Sequence, residues 1–312
     1  MKVRALFFGS PAFAVPSLEA LTGVTEVVGV VCQPDKPAGR GLSLTPQAVK
    51  VRALELRLPV VQPTKLRTGE FGAWARAQGA DVALVVAYGR ILPREVLDAP
   101  RLGCVNVHAS LLPKYRGAAP ITWAVVEGEK ETGVTLMKLD EGMDTGPTFA
   151  RVVTPIGPGE TASQLGERLA HLGADAVTQW LARYLSGEVT LTAQDDSLAT
   201  LAPVLHKHDG RVDWNNSAAR VHDHVRGMSP WPGASTLARG RVVKLHASQI
   251  VQGTRAGDRP GLVVVADKSH VLVACAQDYL ALTSVQPEGR RAMTGVDWAM
   301  GRGVVEGDVL GA

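Results

Sequence analysis

Residues 102–147 read LGCVNVHASLLPKYRGAAPITWAVVEGEKETGVTLMKLDEGMDTGP, a strand, a loop, a helix, a second strand and a turn in close succession. Residues 104–108 form a short strand-like run in which Asn106 and His108 stand two apart, so both side chains project to one face. An Asn amide donates to an oxygen that is turning negative, and a His takes or gives a proton near neutral pH. The loop from Ser110 through Leu111, Leu112 and Pro113 to Gly117 is rich in breakers. Residues 118–127 have helix-friendly composition, with Pro120 suited to the first turn. Residues 133–139 alternate like a strand, with Val134, Leu136 and Lys138 expected on one face. Asp144 follows in a turn between Gly142 and Gly146. A carboxylate on a loop beside a His suits orienting and charging it, as in the acid–base arrangements of acyl transfer. Spacing alone leaves a plainer reading open: a His on a strand is also a common half-buried structural residue, and Asp-Thr-Gly a common turn.

The flanking sequence sets this stretch in an α/β frame. Residues 3–9 are an apolar run ending in Gly9, read as a buried parallel strand. Helix 15–21 and strand 27–32 follow, the start of right-handed β-α-β winding. The turn is not G-x-G-x-x-G, so no dinucleotide site is inferred. A helix at 48–56, a short strand at 59–62, a helix at 70–78 stopped by Gly79, and a continuous apolar run at 81–87 continue the pattern. That last run reads as a central strand, with Tyr88, Gly89, Ile91 and Leu92 at its carboxyl end, where ligands of open α/β sheets bind. Residues 148–155 read as an edge strand. Residues 161–185 show helical spacing through Leu165, Leu169, Leu172, Ala176 and Trp180, with Thr161-x-x-Gln164 as a capping box. Short β-like runs separated by turn residues fill 234–285, the pattern of a small β-barrel. The expected domains are 1–188, a linker at 189–209, and 210–312.

Composition bounds the function. A chain of 312 residues is long enough for two cores, and 46% hydrophobic with 20% charged residues is ordinary for a globular protein. No apolar run reaches the ~18–20 residues a membrane span needs, and the apolar start is too short for a secretory signal, so a cytoplasmic location is expected. Three distant cysteines without a C-x-x-C suggest buried free thiols rather than disulfides or zinc. His206, His208, His222 and His224 form H-x-H twice, which is not a strong ligand pattern, and no metal is expected. Residues 210–312 carry 12 Lys+Arg against 9 Asp+Glu, whereas the first 209 balance. That excess fits a polyanionic partner. Nothing in the sequence demands a dimer, so a monomer is the simpler expectation.

The letters narrow this further. Asn106-Val-His108, Ser110-Leu-Leu-Pro113, Arg116-Gly117-Ala-Ala-Pro120 and Asp144-Thr-Gly146 closely resemble the folate-dependent formyltransferases. GSPAFAVPSLEAL from Gly9, QPDKPAGRG from Gln33, VVAYGRILP from Val85 and SPWPGA from Ser229 extend the resemblance over residues 2–310 and toward the members that act on tRNA. The resemblance implies a Rossmann-like formyltransferase domain with a mostly parallel sheet, followed by a C-terminal OB-like β-barrel. It implies formyl transfer from 10-formyltetrahydrofolate to the α-amino group of an initiator methionyl-tRNA, by direct attack through a tetrahedral intermediate. Asn106, His108 and Asp144 are then catalytic. Ser110, Leu111, Leu112, Pro113, Tyr88, Gly89, Ile91 and Leu92 border the folate. Lys36 and Arg40, in the loop 33–46, reach toward the acceptor end of the tRNA. Lys207, Arg211, Arg241 and Lys244 are further candidates for its backbone, with Arg239, Arg290 and Arg291 weaker ones. The closest alternative is a formyltransferase for a small amine, either an amino sugar nucleotide or glycinamide ribonucleotide. A formyl-folate hydrolase and a non-catalytic RNA-binding protein are more distant.

Overall fold

The computed structural model describes residues 2–38, 43–253 and 257–311. The chain opens with strand β1 (Arg4–Gly9), helix α1 (Val15–Val24) and strand β2 (Glu26–Val31). A hairpin of β3 (Lys36–Ala38) and β4 (Ser43–Thr45) follows, then α2 (Ala48–Glu55), β5 (Val60–Val61), α3 (Gly69–Ala77), β6 (Val82–Val86) and the short α4 (Arg94–Leu97). Next come β7 (Cys104–His108), β8 (Arg116–Gly117), α5 (Pro120–Val126), β9 (Glu131–Lys138), β10 (Thr148–Pro155), α6 (Ala162–Leu185) and β11 (Leu201–Ala202). The remainder is α7 (Ala218–Gly227), β12 (Ala234–Ala238), β13 (Arg241–Val251), β14 (Val263–Ala266), β15 (Val271–Ala274), β16 (Tyr279–Pro287), β17 (Met293–Thr294) and α8 (Gly295–Met300). Among the described residues no helix is long and apolar enough to cross a membrane. The chain divides into two compact units. One comprises Met1–Pro120, Glu131–Pro155 and Gly166–Pro203; the other Ile121–Lys130, Ile156–Leu165 and Val204–Ala312.

The first unit is Rossmann-like. Its sheet runs in the order β10-β9-β7-β6-β1-β2-β5. The neighbours from β7 to β5 are parallel, and β9 and β10 are antiparallel. Parallel strands need both faces covered, which is why VALVV of β6 is buried at every position. On one face Leu6, Phe8, Ala83, Val85 and Cys104 pack against Phe71 and Ala75 of α3 and Val96 and Leu97 of α4. Phe8 meets Phe71 and Tyr88 edge-on, and Phe71 stacks on Trp74. Burying each such side chain contributes roughly 1.5–3 kcal/mol. On the other face Gly173 of α6 lies against Val107, where a Cβ would come within 3.0 Å of a valine methyl. Since Val107 faces α6, the alternation of β7 turns Asn106 and His108 to the opposite face, beyond Cys104.

Two expectations change. The alternation at 133–139 suggested a strand with one buried face. Thr135 and Met137 are as buried as Val134 and Leu136, because the loop at 110–112 covers the face of Thr135 while α6 covers that of Val134. In α6 the buried positions include Leu169, Ala176, Val177, Leu181 and Tyr184, while Leu172 and Trp180 are half-buried. Trp180 lies under the guanidinium of Arg183, 5.2 Å from its ring centre, a contact a rim position permits. The capping box is present: Gln164 accepts from the Thr161 amide at 3.0 Å, and Thr161 Oγ1 accepts from the Gln164 amide at 3.3 Å.

The second unit is built on an antiparallel sheet, β12-β13-β16-β15-β14, with β17 beside β16. Among the described residues β12 and β14, at the two ends of this OB-like sheet, do not pair. Irregular register between Leu245 and Ser248 bends the long strand β13. Val243, Leu245, Val271, Val273, Leu280 and Leu282 form its core with Trp298 of α8 and Val225 of α7. Trp214 donates its indole N–H to Thr236 Oγ1 at 3.0 Å. α5 packs on α7 so closely that a Cβ at Gly227 would fall 2.5 Å from a Val126 methyl. Arg220 ties the pair by donating to the Val126 carbonyl and pairing with Glu127. Helix α5 therefore belongs almost wholly to the second unit, while the strands that flank it in sequence belong to the first.

α7 also carries His224, whose pKa burial pushes below its ordinary 6.5. Its Nε2 is buried and meets no hydrogen-bonding group among the described residues. The folded form therefore binds fewer protons than the unfolded one. The stabilisation is present above about pH 6.5 and is lost as pH falls below it toward the folded value. The expected result is a urea unfolding midpoint that drops between pH 7 and pH 5, and drops less in His224→Gln. Equal slopes in the two proteins would show that His224 does not carry the effect.

Candidate active site

Three groups converge at the carboxyl end of β7. Asn106 and His108, 9% and 5% exposed, leave the same face of the strand, as the two-residue spacing predicts. Asp144 approaches them from the turn after β9, its backbone held at φ +57°. One carboxylate oxygen, Oδ1, accepts from Asn106 Nδ2 at 3.4 Å. The other, Oδ2, accepts from the backbone N–H of Gly117 at 2.9 Å and lies 3.6 Å from His108 Nδ1. His108 Nε2 is 2.9 Å from the carbonyl oxygen of Tyr115. A carbonyl only accepts, so Nε2 carries the hydrogen and Nδ1 is left facing the carboxylate. A bare ring nitrogen and a carboxylate repel at that distance, whereas a proton between them attracts both.

Local backbone makes this possible. Gly117 has φ +122°, and a Cβ there would lie 2.7 Å from the Ala202 carbonyl oxygen. Only glycine lets β8 run this close to β11 and still aim its N–H at Asp144. Gly146 closes the Asp144 turn against the Lys138 carbonyl, where any Cβ would collide.

The Ser110–Pro113 loop is fixed from beneath by Thr135. Its hydroxyl donates to the Ser110 carbonyl at 2.6 Å and accepts from the Leu112 amide at 3.1 Å. Ser110 Oγ donates to the Lys114 carbonyl. Leu112 is buried and Leu111 and Pro113 are half-buried. The other folate candidates divide. Tyr88 and Leu92 belong to the core, and the Tyr88 carbonyl accepts from Gln33 Nε2 at 2.6 Å. Gly89 lies at the surface with φ +75°, and Ile91 is 65% exposed. Met143, beside Asp144, is a second large apolar side chain left 53% exposed.

Among the basic candidates, Lys36 is exposed on β3, and Arg40 lies outside the described residues. Arg211 bridges to Ser235, and Ser235 stands opposite Lys244, which stands opposite Gln286. Arg211 and Lys244 thus share one row across the sheet. Arg241, three residues before Lys244, falls on the opposite face by strand alternation. Lys207 is exposed in the turn that leads into Arg211. Arg239 is engaged within the unit, pairing with Asp308 and donating to the Arg302 carbonyl.

The four histidines do not gather. His206 and His208 stack ring on ring, centroids 5.4 Å apart. His222 bonds Ser248 and the Pro158 carbonyl. The cysteines are free and buried. Burial pushes Cys32 up to about 11 and Cys104 and Cys275 up to about 12. Cys104, on the face of β7 that carries Asn106, is therefore a thiol and not a nucleophile near neutral pH.

Sequence reasoning missed Gln194. It donates from Nε2 to the carbonyls of Asp144 and Gly146, each at 2.8 Å, and accepts from Arg116 through Nε and Nη2 at 3.1 and 2.9 Å. Its partners are main-chain carbonyls and an arginine 78 residues away, which no local pattern announces.

The chain is similar to known proteins over nearly its whole length. The signature of the Formyl transferase family matches residues 1–181, and that of the Formyl transferase C-terminal domain matches residues 204–303. The chain is 55% identical over 310 residues to the methionyl-tRNA formyltransferase of Sorangium cellulosum, covering 99% of this chain and 100% of the relative. It is 45% identical to that of Myxococcus xanthus, covering 97% and 96%. In structure it is similar to the N-formyltransferase from Helicobacter canadensis in complex with folinic acid and dTDP-3-aminofucose. There the TM-score is 0.70 at 16% identity, with 92% of this chain and 100% of that chain covered. With both domain signatures matched in order and relatives this similar end to end, the chain belongs to the methionyl-tRNA formyltransferase family.

Proposed function

We propose that this chain transfers the formyl group of 10-formyltetrahydrofolate to the α-amino group of an initiator methionyl-tRNA, as a metal-free monomer in the cytoplasm. The observation that carries the proposal is the convergence of Asn106, His108 and the Gly117 N–H on the two oxygens of Asp144. In this reading the amine nitrogen attacks the formyl carbon, and the carbonyl oxygen becomes an oxyanion. Asn106 donates an N–H to that oxygen, and its 3.4 Å contact with Asp144 is long enough to give up. The amine proton passes to the His108–Asp144 pair and is returned to N10 as the C–N10 bond breaks. His108, its tautomer fixed by Tyr115, relays that proton and shares in stabilising the oxyanion.

The residues present suit the folate co-substrate. Exposed Ile91 and Met143 offer apolar surface to a flat heteroaromatic ring. Gly89 leaves backbone open at the end of β6, and the loop held by Thr135 would shape the pocket wall.

For the tRNA, Lys36 and Arg40 would meet the acceptor end, while Lys207, Arg211 and Lys244 would track phosphates. Such contacts release counterions, so tRNA affinity should fall steeply with salt. Arg40→Ala should weaken transfer to tRNA most at low salt, and an unchanged rate at low and high salt would remove Arg40 from the tRNA site.

A second reading has a specific basis in the Helicobacter canadensis neighbour, which binds an amino sugar nucleotide on a similar fold. The experiment that separates the two is single-turnover transfer from 10-formyltetrahydrofolate to methionyl-tRNA, glycinamide ribonucleotide and dTDP-3-aminofucose in parallel. Transfer to methionyl-tRNA alone is expected. Transfer to either small amine, without transfer to the tRNA, would overturn the proposal while leaving the catalytic trio in place.

A further inference from the structure

We infer that Gln194, in the segment between α6 and β11, is a positioning residue that holds Asp144 in its reactive place. The inference rests on the reading of Asp144 as catalytic.

Asp144 is a non-glycine residue at φ +57°. That conformation is sparsely populated by L side chains, Asp less so than most, and surrounding contacts hold it. Gln194 supplies such contacts on the main chain of the turn, taking the carbonyls of residues 144 and 146 with its two amide hydrogens. Its carbonyl oxygen is held in turn by two N–H groups of Arg116. All partners on one side are acceptors and on the other donors, so the amide has one possible orientation. Arg116 is 7% exposed and also pairs with Asp196.

The next residue, Gly117, donates to the Asp144 side chain. The dipeptide Arg116-Gly117 thus grips Asp144 twice, once by its carboxylate and once, through Gln194, by its backbone. The same segment anchors that dipeptide. Thr200 accepts from the Tyr115 amide through its hydroxyl and from the Arg116 amide through its carbonyl, and the Ala202 carbonyl accepts from Ala118 and Ala119. Tyr115 in turn fixes His108. A stretch whose composition suggests a plain linker therefore reaches both the imidazole and the carboxylate, without contact to the reacting atoms.

The test uses Gln194→Glu and Gln194→Ala in the full chain. Glutamate keeps the size and the acceptor for Arg116, but it sets an oxygen against two carbonyls where the amide donated. Gln194 is half-exposed, so Q194E is expected to fold, with a melting midpoint within about 5 °C of the parent. Its kcat should fall on the order of 10- to 100-fold, the scale of a small misplacement of a reacting group. KM for methionyl-tRNA and for 10-formyltetrahydrofolate should stay within about threefold. In the Asp144→Asn background Q194E should cost less than about twofold more, because the group it positions has already been disabled. If Q194E and Q194A keep the parent kcat while Asp144→Asn does not, the inference is wrong and the catalytic reading survives. If the Q194E loss multiplies fully with that of Asp144→Asn, Gln194 acts elsewhere and the inference fails. If Asp144→Asn keeps the parent rate, both fail together.

Discussion

Asp144→Asn should lower the single-turnover rate of formyl transfer by roughly 10³–10⁴-fold, the scale on which neutralising the carboxylate behind a catalytic imidazole acts in acyl-transfer sites. The replacement is isosteric, so packing is kept. What changes is the charge facing His108 Nδ1 at 3.6 Å and the acceptor for the Gly117 N–H. An Asn side chain can keep its carbonyl oxygen where Oδ2 stands, toward both the Gly117 N–H and His108, with its amide toward Asn106, but it cannot accept a proton. The substrate amine must lose one proton and the leaving nitrogen must gain one. With the carboxylate gone, His108 has to do both without a counter-charge, and the Tyr115 carbonyl prevents the ring from turning to use Nε2 instead. Rapid-quench measurement with labelled formyl donor at saturating co-substrate reads this directly. A loss below about tenfold would show that the carboxylate is a turn residue and nothing more.

Asn106→Ala should cost on the order of 10²–10³ in kcat, the usual consequence of removing one oxyanion donor, with KM for the folate nearly unchanged. Asn106 sits at 9% exposure in the middle of a buried strand pairing. Among the described residues its side-chain amide has no bond shorter than the 3.4 Å contact to Asp144. A buried polar side chain so lightly engaged in the resting protein is suited to a partner that arrives with the reaction. Asn106→Asp separates the donor role from size. It keeps the shape but brings a second carboxylate beside Asp144, and it should be at least as impaired as the alanine variant. If either variant transferred formyl at the parent rate, Asn106 would have no part in the chemistry.

Much of this site is legible in the sequence because its elements obey short-range rules. Asn106 and His108 share a face because strands alternate. Asp144 falls in a turn because glycines flank it, and Pro120 marks the start of α5. The parallel core is readable from unbroken apolar runs such as VALVV of β6.

What is not legible depends on partners distant in sequence. Nothing near Gln194 says that its amide will find the Asp144 and Gly146 carbonyls, and the acidic pair Asp195-Asp196 suggests a solvated connector. In the structure Asp195 accepts from the Ser197 amide and Asp196 pairs with buried Arg116. The grouping of α5 with α7 follows from a glycine at 227 that admits Val126, again a tertiary fact. The double burial of β9 comes from the loop at 110–112 on one face and α6 on the other rather than from its own alternation. The tautomer of His108 is set by a carbonyl in the loop that follows, at a left-handed Tyr115, which spacing does not reveal.

The measurement that tests the account most directly compares single-turnover formyl transfer to methionyl-tRNA by Asn106→Ala, His108→Ala, Asp144→Ala and the triple variant. Residues that act as one catalytic unit are strongly non-additive. The triple variant is therefore expected to fall within about tenfold of the slowest single variant, with every single variant at least ~10²-fold below the parent. Losses that multiply through to the triple variant, or any single variant that keeps the parent rate, would contradict a site in which these three side chains work together on one formyl group.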